Sequence, residues 1–186
     1  MNRTVLNFMV PAFLVFGTMM GACSKSDNNS TASKMTLYDS LGGTVMVTDP
    51  ANPSSMIEKG RLGIRSVVDS TIFVIAGDTA INGFFMVLLA EVTSGNTSGF
   101  MALSKNLTDF VAVATGAKNY TYTGKNMVAA HDPAQNPRMH GKAANDDFDA
   151  FVADLVKGAK KNGLSDQLIS QVGALVETLR TQVVQQ

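Results

Sequence analysis

Tyr122-Thr123-Gly124-Lys125-Asn126-Met127-Val128-Ala129-Ala130-His131 is the stretch on which the reading of this chain turns. Gly124 closes a loop that carries Tyr120 and Tyr122, and Lys125 to His131 reads as a short helix. Met127 and His131 are four apart, so both side chains lie on one face of it. The intervening alanines leave that face open to close approach by something flat. A histidine in such a setting has two readings. One is a packed or surface imidazole. The other is a neutral imidazole beside a thioether, facing a cavity lined by Phe and Leu, which is the setting in which a haem iron takes one protein ligand.

The sequence on either side is helical. Downstream, Phe148, Phe151, Val152, Leu155, Val156 and Ala159 form one apolar face that ends at Asn162-Gly163. Ser165 caps a last helix whose face is Leu168, Ile169, Val172, Leu175, Val176 and Leu179. Upstream, Ile64, Val67, Val68, Ile72 and Ile75 recur at helical spacing, which outweighs the β-branched run Thr71 to Ile75. Ile81 to Val92 reads as a buried helix. Leu103, Leu107, Phe110, Val111 and Ala114 mark another. Leu37 to Leu41 is a helical turn stopped by Gly42-Gly43. Thr44 to Gly60 reads as a loop with room for one short strand at Thr44 to Val47. Asp132 to Asn145, with Pro133 and Pro137, cannot be one helix. The fold class is all-α.

The N-terminus carries an address. Arg3 is followed by an apolar run from Val5 to Ala22, interrupted by Asn7, Pro11 and Thr18, and then by Met20-Gly21-Ala22-Cys23. This is the layout of a bacterial lipoprotein signal, with small residues before a cysteine whose thiol accepts lipid. Pro11 and the small residues weigh against a membrane-spanning helix. Residues 1–22 are then the signal peptide, Cys23 is the lipidation site, residues 23–34 are a polar tether, and 35–186 form the domain. The expected localisation is the cell envelope, lipid-anchored, and Ser24 favours the outer membrane of a Gram-negative cell.

Composition closes off several classes of function. The chain has 15 basic and 15 acidic residues and no basic stripe, so nucleic-acid binding has no electrostatic support. Its single cysteine is consumed by acylation, which removes both a disulfide and a thiol nucleophile. No phosphate loop, dinucleotide fingerprint or Gly-x-Ser-x-Gly motif is present. His131 and His140 are the two histidines, too few without thiolates to close a zinc site. His140, in a proline-bearing loop, reads as a surface residue.

Leu37-Tyr38-Asp39-Ser40-Leu41-Gly42-Gly43, Val67-Val68-Asp69, Phe84-Phe85, the Tyr-Thr-Gly-x-x-Met-x-x-x-His segment ending at His131, and two closing helices occur in this order. The series resembles the group 1 truncated haemoglobins over about residues 36–183. The resemblance implies a shortened globin, a two-over-two sandwich of helices, here with extended loops. It makes haem the cofactor, His131 the proximal iron ligand, and Phe85 a wedge against the haem. Met127, Ile72, Leu103, Leu107, Phe110 and Tyr122 would line the pocket. It departs from the family's pattern on the distal side. Ile72 stands where the family often has tyrosine, and Leu103 and Leu107 stand where it often has glutamine. No strong hydrogen-bond donor remains there, unless Thr71 or Ser104 reaches in.

The resulting expectation is a membrane-tethered haem protein that binds dioxygen or another diatomic gas, drawing on an unidentified electron donor. A haem-dependent redox or nitric-oxide-detoxifying enzyme is the alternative, and it needs a distal acid–base group that the sequence does not show. A globin-shaped module without haem is the third reading. Gas binding is favoured over catalysis.

Overall fold

The computed structural model describes residues 34–186, so the expected signal peptide, Cys23 and all but the last residue of the expected tether lie outside the described residues. The order is α1 (Leu37–Ser40), β1 (Met46–Asp49), β2 (Asn52–Glu58), α2 (Lys59–Gly77), a 3₁₀ turn (Asn82–Phe85), α3 (Met86–Thr93), α4 (Ser98–Ala114), α5 (Met127–His131), α6 (Asn145–Lys161), α7 (Asp166–Glu177) and α8 (Arg180–Val183). The all-α class holds, with one small hairpin added. The main contacts pair α2 with α6 and with α4, and α6 with α7. That is the two-over-two arrangement.

Helix α2 is central because it carries two apolar stripes. Ile64, Val68 and Ile72 are spaced four apart and join the core cluster with Tyr38, Leu88 and Ala112. Val67, Thr71 and Ile75, also four apart and buried, form the second stripe. Thr71 meets Gly158 of α6 at the crossing. A Cβ on Gly158 would lie 2.3 Å from Thr71 Oγ1 and 2.9 Å from its backbone nitrogen. Only a residue without a side chain lets the two helices close to this distance. Asn162, one turn along α6, donates to the Ser66 carbonyl at 3.1 Å and to Ser70 Oγ at 2.9 Å, which fixes the register.

The expected loop Thr44 to Gly60 is instead a β-hairpin. Met46 pairs with Glu58, Val47 with Ile57 and Thr48 with Met56. Its turn is held by Asp49, whose carboxylate accepts from the Ala51 N–H at 2.9 Å and from both terminal nitrogens of Arg65. The Arg65 guanidinium holds the Asp49 carboxyl down at about 2. The far end is anchored by Glu58, which is buried and accepts from Tyr38 Oη at 2.6 Å and from Asn119 Nδ2 at 2.6 Å. Two donors offset the cost of burying that carboxylate. Proline in β2 is tolerated because a two-stranded sheet has only edge strands.

The segment Ile81 to Val92 is not one helix. Asn82–Phe85 is a 3₁₀ turn and α3 begins at Met86. Gly83 sits inside the turn, and Asp78 accepts from the Ile81 and Asn82 N–H groups, which tightens the chain before α3 starts. The Gly42-Gly43 pair does turn the chain sharply, with φ of 128° and 59°. Gly60 packs against it so closely that a Cβ there would lie 2.9 Å from the Gly43 nitrogen.

The α2–α6 crossing yields a test. Gly158→Ala should destabilise the fold by about 1–3 kcal/mol through overpacking, with little change in helix content. Adding Thr71→Ala removes the 2.3 Å clash but not the 2.9 Å contact with backbone, so it should restore only part of the loss. Urea unfolding of the two variants measures both effects.

Candidate functional site

The residues singled out from the sequence fall into three groups in the fold. The first is the helix end around His131. Asn126 caps α5, its Oδ1 accepting from the Ala129 N–H at 2.8 Å. A five-residue helix is too short to be stable alone, and two more side chains hold its backbone. Asn136 donates to the Ala130 carbonyl at 2.7 Å, and Gln185 donates to the Val128 carbonyl at 2.9 Å. Within it, His131 Nδ1 lies 2.8 Å from the Met127 carbonyl oxygen. A carbonyl only accepts, so Nδ1 carries the hydrogen and Nε2 keeps its lone pair. Burial pushes the imidazole pKa below its ordinary value; the bond to Met127 works the other way and is the smaller effect. The result is a neutral, oriented imidazole with Nε2 available as a donor atom.

The second group is apolar. Ile72 is buried in the core cluster, and Phe85, Leu103 and Leu107 pack against that cluster while staying only partly buried. Neither hydroxyl that might have relieved this apolar surface is available to it. Thr71 Oγ1 donates to the Val67 carbonyl at 2.8 Å and faces Gly158 on the α6 side. Ser104 Oγ donates to Asp69 Oδ1 of α2 at 2.5 Å, which engages the hydroxyl. Asp69 as the acceptor for Ser104 was not foreseen. The signal was there, since Val67-Val68-Asp69 puts a carboxylate next to an apolar stripe on α2, but its partner comes from 35 residues away.

The third group supports the loop into α5. Phe110 and Tyr122 meet edge to face with ring centroids 5.3 Å apart. Tyr122 Oη donates to the Lys125 carbonyl at 2.5 Å. A Cβ on Gly124 would lie 2.5 Å from that oxygen, so glycine is required where the tyrosine folds over its own loop. The Tyr-Thr-Gly part of the motif therefore aims α5.

The loop after His131 is tied down rather than free. Arg138 makes a two-point ion pair with Glu91 of α3, at 2.8 and 2.6 Å. The His140 N–H donates to the Phe84 carbonyl at 3.2 Å, and its ring is left exposed. Ala143 bridges to Val184 near the C-terminus. Among the described residues, no group of three or more His, Cys, Asp or Glu side chains is placed to hold a metal ion. A metal at His131 would need its other ligands from a non-protein group.

No family model matches the chain. It is 31% identical over 77 residues to a group 1 truncated hemoglobin of Tetrahymena pyriformis, and 32% identical over 77 residues to one of Tetrahymena thermophila. Each match spans 41% of this chain and 57% of the relative's length. Among solved structures, the truncated hemoglobin of T. pyriformis in its Fe(III) form superposes with a TM-score of 0.58 at 21% identity, covering 81% of this chain and 99% of that one. The 2/2 hemoglobin of Synechococcus sp. PCC 7002, in the cyanomet state with covalently attached heme, gives 0.56 at 22% identity over 80% and 98% of the two chains. The described residues thus have the truncated-haemoglobin fold, and the sequence resemblance to group 1 truncated haemoglobins is borne out by the relatives it retrieves.

Proposed function

We propose that this protein binds haem through His131 and takes up a diatomic gas at the iron. One observation carries the reading: His131 Nδ1 is committed to the Met127 carbonyl, which leaves Nε2 unprotonated on a half-buried helix end within the motif that defines the resemblance. The apolar side chains that the resemblance puts around a macrocycle, Phe85, Leu103, Leu107, Phe110 and Met127, are all only partly buried. Haem, when bound, supplies an iron centre whose reactivity is set by its axial ligand and by the polarity around it. The chain's own contribution is a single oriented imidazole, an apolar surface that keeps water away, and a tied loop behind the ligand helix.

The distal side argues for gas binding over catalysis. With Thr71 turned to α6 and Ser104 engaged by Asp69, Ile72, Leu103 and Leu107 offer no proton donor or acceptor. Among the described residues, neither Thr71 nor Ser104 is free to run acid–base chemistry on that side. We also propose that Cys23 is lipidated and holds the domain at the cell envelope. That reading rests on the sequence of residues 3–23.

Four outcomes test these proposals. His131→Ala should lose most of the haem or shift its visible spectrum, while His140→Ala keeps both. Loss on the second variant alone would make the loop histidine the ligand. Acid has a defined sign at His131. Its pKa in the folded chain is lowered below about 6.5, so the unfolded chain takes up the proton first. The stability this group supplies is present above about 6.5 and is lost as pH falls through the lowered value. The same proton competes for Nε2, so haem retention should fall over that window, followed by absorbance during an acid titration.

On the distal side, a hydrogen bond to a polar gas ligand contributes about 1–3 kcal/mol when the acceptor carries charge. The native chain should therefore release dioxygen quickly. Ile72→Tyr should slow dioxygen release far more than carbon monoxide release, both read by stopped-flow dissociation. Slow release from the native chain would mean that a donor is already in place. Finally, Cys23→Ala should move the protein out of the membrane fraction or stall its processing, as fractionation and mass measurement would show. An unchanged, membrane-bound product would remove the lipoprotein reading.

A further inference from the structure

Exposed apolar side chains gather at the edge where the described chain begins. Met35, Val45, Met46 and Met56 are each at least half exposed. Strand register fixes two of them. Met46 pairs with Glu58 and Thr48 with Met56, so Met46 and Met56 sit diagonally on one face of the hairpin. Ile57, on the opposite face, is buried. Residues 116–119 join this hairpin to Met35. Gly116 lies against Thr36, the residue after Met35, since a Cβ on Gly116 would be 2.9 Å from Thr36 Cβ. Lys118 acts on the carboxyl of Asp39, which is held below its ordinary range first by its bonds to Thr36 and then by this charge. Asn119 donates to Glu58 at the base of β2.

The same edge is basic. Lys34, Lys59 and Lys118 are all exposed. Lys59 lies beside the glycine turn, where a Cβ on Gly42 would be 2.9 Å from Lys59 Cγ. The carboxylates here are committed within the fold. Glu58 is buried and accepts from Tyr38 and Asn119, Asp49 is paired with Arg65, and Asp39 closes the capping box of α1 with Thr36. Of the three, Asp39 alone is exposed, against three exposed lysines. Flexible apolar side chains among lysines suit the surface of a bilayer, where thioethers enter the headgroup layer and ammonium groups meet lipid phosphates.

The position of the expected anchor says what covers this edge. Cys23 stands eleven residues before Lys34, so chain geometry keeps a lipid on Cys23 within about 40 Å of it. We propose that the edge carrying Met35, Met46, Met56, Lys34, Lys59 and Lys118 docks on the anionic surface of the membrane that holds the chain. The proposal rests on the lipoprotein reading of Cys23. The anchor confines the domain to the bilayer, and this edge sets which side of the domain faces it.

Methionine oxidation tests the docking, because the chain carries its own control. Met86 is 56% exposed, as Met56 is, and it follows the opposite end of α2, a helix about 28 Å long. The full chain is reconstituted in vesicles of phosphatidylglycerol and phosphatidylcholine in equal parts and, for reference, of phosphatidylcholine alone. It is then treated briefly with chloramine-T and its peptides are weighed. Relative to Met86, oxidation of Met35, Met46 and Met56 should be about fivefold slower on the anionic vesicles than on the reference. High salt should remove the difference. Lys59→Glu with Lys118→Glu, both at exposed positions, should abolish it while the lipid stays on the Cys23 peptide. Equal oxidation on both vesicles, with lipid on Cys23, overturns the docking and leaves the anchor standing. A Cys23 peptide without lipid overturns the anchor, and the docking with it. Protection that grows with protein concentration overturns the docking too, and assigns the face to a second copy of the chain.

Discussion

The contact of Gly158 with the Thr71 backbone is the constraint on which the rest of this fold depends. Helix α2 has to bury two stripes, and it can do so only between two partners. The missing side chain at Gly158 lets α6 approach until it covers Val67, Thr71 and Ile75. The rotation of α2 is then settled. Thr71 points at α6, and Ile72, about 100° further round the helix, points into the core with Val68 and Ile64. The apolar character of the surface around Ile72 is thus tied to the packing of two helices, because the nearest hydroxyl on α2 is consumed at the crossing.

The His131 end is built by the opposite strategy. Helix α5 buries no residue fully and has no propensity advantage over so few residues. Polar side chains from elsewhere compensate: Asn126 at its start, Asn136 from the following loop, and Gln185 from the C-terminus. Tyr122 sets the path of the chain on the way in. His131 is oriented by the carbonyl of Met127, so the motif spacing encodes a hydrogen bond as well as a shared face. The Arg138–Glu91 pair then carries the outgoing loop across to α3. An exposed ion pair of this kind adds little to stability, yet its two-point geometry defines where the loop runs.

Long helices with a clear apolar period were legible in the sequence: α2, α4, α6 and α7 lie where Ile64 to Ile75, Leu103 to Ala114, Phe148 to Ala159 and Leu168 to Leu179 placed them. The hairpin was not. Pro50 and Pro53 read as loop residues, and the groups that make strands of that segment, Arg65, Tyr38 and Asn119, come from distant positions. The 3₁₀ turn before α3 was hidden for a similar reason, since Phe84-Phe85 and Leu88-Leu89 make one apolar run whatever the backbone does. At the site, the short helix that ends at His131 was legible from a local pattern. What Thr71 and Ser104 do was not, because each had a partner within reach on either side of its helix, and only packing decided between them.

Helix α4 shows how two chemistries can share one element without interfering. Leu103 and Leu107 pack toward the core cluster, while Ser104 and Thr108, each the next residue along, are buried. A step of one residue turns the side chain by about 100°, so the two pairs form separate faces with the same period of four. The apolar face needs no polar partner, and burial alone holds it. The polar face is costly unless each group is matched, and here Ser104 is matched by Asp69 while Thr108 is not. Had the same residues alternated in a strand, both faces would have been fixed by sheet pairing. In a helix the angle between them is free to be divided, and this chain gives one part to apolar packing against the core and the other to hydroxyl side chains.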